Sequence, residues 1–221
     1  FYPGSSFNDS AAYAQYGNGF SSIDDWRRDN VNKLIQGLND AIHKADSSVS
    51  FGVSPAGIWA NKSSNSLGSA TSGNQTYSAH YADTRKWVKE GWLDYICPQV
   101  YWYIGQSNAN YEVLANWWAD VVSGTDVKLY MGMADYKAGE TSTSSPWYGI
   151  AAIQDQMALN QTIPEIDGEI HFRYKFLLSV SGLQSYYTNV HKNGVPSIVS
   201  QFSTSDRQGT WVKLSNGSYK L

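Results

Sequence analysis

The chain of 221 residues, 42% of them hydrophobic, is long enough to bury one substantial core, and it contains no apolar run of the roughly 18 residues that would span a membrane. A net charge of -3 with scattered Lys and Arg gives no basic stripe for a phosphate backbone and argues against nucleic acid as a partner. Charged residues make up only 16% and aromatics reach 14%, a surface that leans toward neutral, hydroxyl-rich ligands such as sugars.

The opening Phe1-Tyr2-Pro3-Gly4 carries neither an initiator Met nor a signal-peptide pattern, so the chain reads as beginning inside a longer sequence. From Ile23 to Ala45 the residues Val31, Leu34, Leu38, Ala41, Ile42 and Ala45 recur at helical spacing, behind a Ser22/Asp25 start signal. Val49 to Pro55 predicts a strand closed by proline, followed by a Ser/Asn/Gly-rich loop to about Ser78. Then come a helix Tyr81 to Glu90, a strand Asp94 to Trp102, a helix Tyr111 to Val122 and a strand Val127 to Met133. After a second polar loop the pattern gives a helix Tyr148 to Asn160, a strand Glu169 to Tyr174 and a helix Gly182 to Lys192. Near-continuous apolar strands alternating with amphipathic helices predict an α/β protein with a helix-covered parallel sheet. Asn216-Gly217 between two short β-rich runs predicts a C-terminal hairpin within residues 201–221, outside the main domain of residues 1–200. An open four-stranded domain is the alternative to half of an eight-stranded barrel, but no Gly-rich phosphate loop follows the first strand.

The lone Cys97, in an apolar stretch with no His nearby, reads as a buried inert thiol, and four His without ligand spacing predict neither zinc nor any other metal or cofactor.

Four ordered blocks carry a family resemblance: Asp25 to Asn32 (DWRRDNVN), Phe51 to Trp59 (FGVSPAGIW), Tyr81 to Trp87 (YADTRKW) and Glu90 to Trp102 (EGWLDYICPQVYW). Together they resemble the glycosyl-hydrolase-like family 10, formerly a domain of unknown function. The resemblance implies a TIM (β/α)8 barrel of which this chain covers strands five to eight, with Phe1-Tyr2-Pro3 ending strand four. It further implies an oligosaccharide or polysaccharide substrate and extracytoplasmic, bacterial cell-wall work.

In such barrels the active site lies at the carboxyl ends of the strands. Glycoside hydrolysis needs two carboxyl groups, one to protonate the leaving oxygen and one ionised. Asp94, Glu165, Asp167 and Glu169 precede strands and are set aside. Asp135, two residues past a strand, and Asp83, at a helix start, are the catalytic candidates, although capping the helix explains Asp83 as well. The resemblance places two further aspartates just before Phe1. Candidate substrate-binding residues are Tyr2, Ser54, Trp59, Gln99, Tyr101, Trp102, Tyr136 and Lys175. Arg27 and Arg28, in a first helical turn, need acidic partners, for which Asp24, Asp25 and Asp29 are at hand. Trp87, Trp92, Trp117 and Trp118 read as packing residues.

A glycoside hydrolase leads this reading. A carbohydrate-binding pseudo-enzyme and a protein-interaction scaffold are the alternatives.

Overall fold

A computed structural model describes residues 7–193 and the backbone of four two-residue strands beyond them, at 199–200, 209–210, 212–213 and 219–220. Tyr2 and the Phe1-Tyr2-Pro3 segment lie outside the described residues, as does the Asn216-Gly217 turn.

A short helix α1 (Ser10–Tyr16) precedes the long α2 (Ile23–Ala45). The Ser22 side chain accepts from Asp25 N–H, so the expected start signal is used. Strand β1 (Gly52–Val53) follows, then α3 (Thr76–Ala79) and α4 (Thr84–Lys89) where one helix from Tyr81 was expected. Tyr81 has φ of 52° and Asp83 caps α4, which separates the two. The chain continues through β2 (Tyr95–Ile96), α5 (Tyr111–Val122), β3 (Lys128–Met133), α6 (Ala151–Asn160), β4 (Ile166–His171), α7 (Tyr174–Ser179) and α8 (Leu183–Asn193).

The strands form one parallel sheet in the order β1-β2-β3-β4, with helices between successive strands, as the alternation predicts. Beyond the helices, β5 (Val199–Ser200) pairs antiparallel with β6 (Gly209–Thr210), and β7 (Val212–Lys213) with β8 (Tyr219–Lys220).

Strand boundaries depart from expectation, beginning with the run from Val49 to Pro55, which keeps only Gly52–Val53 as a regular strand. The run from Asp94 to Trp102 keeps only Tyr95–Ile96 as a regular strand, because Pro98 lacks the N–H that the ladder needs; bridges from Gln99 to Ala56 and to Gly132 then continue the sheet. The last strand starts at Ile166, three residues early, since pairing along β3 outweighs the poor strand propensity of Asp167 and Gly168. Asp167 and Glu169 therefore lie inside β4, and Tyr174 opens α7.

Side-chain alternation assigns the two faces of the sheet. Leu129, Met131 and Met133 are fully buried against the helix layer with Leu114, Trp118 and Ile153. On the other face Tyr95 meets Tyr130 edge-on at 5.7 Å. Trp118 donates its indole N–H to Gly57 O at 2.8 Å, tying α5 to the loop after β1. Trp87 and Trp118 are buried and Trp92 and Trp117 half-buried, all packed with the core as expected. The apolar stripe of α2 is only partly used: Ile35 and Trp26 are buried, whereas Leu34 and Leu38 remain exposed beside the edge strand β1. Cys97 is buried, and desolvation pushes its thiol up to about 11.

Candidate functional site

The carboxyl ends of β1 to β4 gather the residues with chemistry. After β1, Ser54 is exposed, and Gln99 on the neighbouring strand end donates its amide to Ser54 O at 2.9 Å and to Ser54 Oγ at 3.3 Å. Pairing at Gln99 fixes this amide, since the residue bridges both neighbouring strands. Two residues on, Tyr101 points the same way and packs edge-on against Tyr136 (5.7 Å) and nearly parallel to Phe172 (6.2 Å). Burial raises the Tyr101 hydroxyl to about 12, so it stays a proton donor across ordinary pH. Tyr136 and Phe172 are 40% and 48% exposed, which leaves an aromatic lip open to solvent.

Lys137 closes this lip. Its ammonium donates to Tyr101 O at 2.6 Å and lies 5.9 Å from the Tyr136 ring centre and 5.5 Å from that of Trp147. Partial burial lowers its pKa. Lys175, the cation expected here, is instead exposed on α7, 5.7 Å from the centre of the Phe176 ring. Trp102 is half-buried, with its carbonyl held by Gln156 at 2.8 Å.

Three expected site residues turn out to be engaged elsewhere. Trp59 is 3% exposed, stacked on Trp117 at 5.9 Å and edge-on to Tyr77 at 5.1 Å, so it offers no open face to a sugar. Its indole N–H donates to Asp83 at 3.0 Å. Asp83 also accepts from Lys86 N–H at 3.3 Å as the cap of α4, which is the structural role foreseen for it; desolvation raises its pKa. Asp135 is 1% exposed in a 3-10 turn after β3. It continues the Met131, Met133 face toward the helices, where the Tyr187 hydroxyl and His171 Nδ1 lie 2.8 and 3.2 Å from Oδ1.

Several groups were not singled out from the sequence. Asp9 takes a two-pronged ion pair from Arg27, at 2.8 Å (Nε) and 2.6 Å (Nη2), and this bond holds its carboxyl below the usual range. Nothing in the local pattern flags Asp9; the sequence offered Asp24, Asp25 and Asp29 as partners. Asp24 contacts Arg27 at 3.5 Å, Asp25 pairs with Arg28 at 2.5 Å, and Asp29 pairs with Lys33. Phe172 and Lys137 could have been found as neighbours, in sequence, of strand ends. A cleft of about 860 Å³ runs from Ser54 and Gln99 between β1 and α2, past Asp9 and Trp26. Thr76 and Thr84 also line it, and their buried hydroxyls lack hydrogen-bond partners among the described residues.

The fold defines an α/β protein with a parallel sheet whose carboxyl strand ends present an amide, a hydroxyl, stacked aromatics and the Lys137 ammonium. The chain belongs to the glycosyl hydrolase-like 10 family, whose pattern matches residues 1–150. It is 49% identical over 179 residues to glycosyl hydrolase DigH of Escherichia coli (strain K12), covering 79% of this chain and 41% of that protein. It is 45% identical over 183 residues to glycosyl hydrolase YngK of Bacillus subtilis (strain 168), covering 80% of this chain and 36% of that protein. The chain thus spans about two fifths of the length of the curated relatives it matches.

Proposed function

We propose that the chain forms part of a glycoside hydrolase acting outside the cytoplasm on bacterial cell-wall or related polysaccharide, with β1 to β4 as strands five to eight of an eight-stranded barrel. The observation that carries this reading is the set of Gln99, Ser54, Tyr101, Tyr136 and Lys137 converging at the carboxyl ends of parallel strands. Neutral donors and acceptors suit sugar hydroxyls, and the exposed Tyr136 and Phe172 rings suit the C–H face of a pyranose. Family membership and the names of the relatives support hydrolysis of a glycosidic bond.

A second reading, glycan binding without turnover, draws on the engagement of Asp83 and Asp135. Asp83 is tied to a cap and an indole, and Asp135 to α8, so neither adds to the strand-end set the paired carboxyls that hydrolysis uses.

Isothermal titration of the full chain against soluble glycans with and without N-acetyl groups, alongside reducing-end release assays, tests both readings. Saturable binding weakened about tenfold by Tyr136→Ala or Gln99→Ala supports the site. Binding left unchanged by both substitutions refutes it. Product release supports the hydrolase reading over glycan binding alone.

A further inference from the structure

A second polar cluster lies at the carboxyl ends of β3 and β4, around the buried Asp135. Asp135 Oδ1, Tyr187 Oη and His171 Nδ1 are mutually within hydrogen-bond reach, at 2.8, 2.8 and 3.2 Å. A carboxylate only accepts, and the Tyr187 hydroxyl has one proton, which it donates to Oδ1. With His171 Nδ1 turned to Asp135 and Tyr187, Nε2 is the ring nitrogen left to meet a ligand.

His171 is 27% exposed in its side chain and lines a separate cleft of about 420 Å³ bounded by the end of β4, α7 and α8. The remaining titratable groups on its walls are Arg173, after β4, Tyr174 on α7 and His191 on α8, with the Thr188 hydroxyl and the Gln184 amide between. Arg173 and His191 form no ion pair among the described residues, and Asp135, the single carboxylate in the lining, is already engaged by Tyr187 and His171. The field in this cleft is that of cationic and neutral donors.

We propose that the cleft binds a small anionic group, a phosphate or a carboxylate, held by the Arg173 guanidinium and by the His171 and His191 rings that share its lining. Arg173 supplies a planar two-pronged donor suited to either anion. Asp135 is a positioning residue that orients the His171 ring through the 3.2 Å contact at Nδ1. The cleft adjoins the strand-end lip, with the Arg173 guanidinium 5.8 Å from the centre of the Phe172 ring, but the proposal does not rest on the assignment of that lip.

The test is an NMR titration of the full chain with inorganic phosphate and, separately, with acetate, following the His171 ring resonances. Saturable shifts are expected with millimolar affinity. Arg173→Ala and Tyr187→Phe should weaken binding about tenfold, while Lys44→Ala, a surface cation on α2, leaves it unchanged. Saturation by phosphate alone assigns a phosphate ligand; saturation by acetate assigns a carboxylate. The absence of saturation with either anion up to about 50 mM overturns the proposal, as does equal weakening by Lys44→Ala. His171→Gln identifies the resonances, and the exposed position of Arg173 keeps the test open if that variant unfolds.

Discussion

The Tyr187 hydroxyl on α8 donates to the buried Asp135 carboxylate at 2.8 Å, joining the turn after β3 to the last long helix of the described sheet domain. Burial, with the Asp135 charge next in weight, holds that hydroxyl protonated well beyond the usual tyrosine range. Tyr187→Phe keeps the ring and deletes the donor, leaving an ionic acceptor short of one partner. A loss of about 1–3 kcal/mol is expected in urea unfolding. A loss below about 0.3 kcal/mol would show that the hydroxyl contributes nothing net.

Asp83 shares one carboxyl oxygen between the cap of α4 and the Trp59 indole. Asp83→Ala removes this shared acceptor and should cost about 1–2 kcal/mol, with a shift in tryptophan fluorescence. Asp83→Asn retains an acceptor and removes a carboxylate whose charge is disfavoured by burial. The Asn variant should match or exceed the parent at neutral pH by thermal unfolding.

Acid should unlock the start of α2. Bonds from Ser21, Ser22 and Arg28, in that order, lower Asp25 from 3.8 to about 2. A depressed carboxyl pKa stabilises the fold above the unfolded value, and that stability drains away as pH falls from near 4 toward 2. Chemical unfolding across this window should show a falling stability whose slope is shallower in Asp25→Asn. Equal slopes in parent and variant would remove Asp25 as the cause.

Gly132 sits where β3 passes the Pro98 kink, and a Cβ there would lie 2.7 Å from Pro98 O and 3.1 Å from Gln99 Cα. Backbone on the neighbouring strand cannot move aside, so Gly132→Ala should destabilise by about 1–3 kcal/mol. Because Gln99 belongs to the proposed glycan site, the proposal expects glycan affinity to fall with it, measurable by titration on the folded fraction.

The periodicity of the chain determined the parallel α/β architecture, the order of helices and strands, the buried Cys97 and the Ser22 and Asp83 caps. These features follow from local alternation and capping chemistry, which act over a few residues. Strand-end positions of Gln99 and Tyr101 were legible for the same reason, since a two-residue period sets which side chains share a face, whereas Tyr136 was picked out by the family resemblance. What only the tertiary structure decided lies in long-range pairing. Asp135 turns from the mouth to Tyr187, 52 positions on, and Arg27 reaches back 18 residues to Asp9. Trp59 is covered by Trp117, 58 positions downstream, and Lys137 instead of Lys175 reaches the Tyr101 carbonyl. Each outcome depends on how helices seat against the sheet, a matter of packing between distant segments that no local window of sequence encodes.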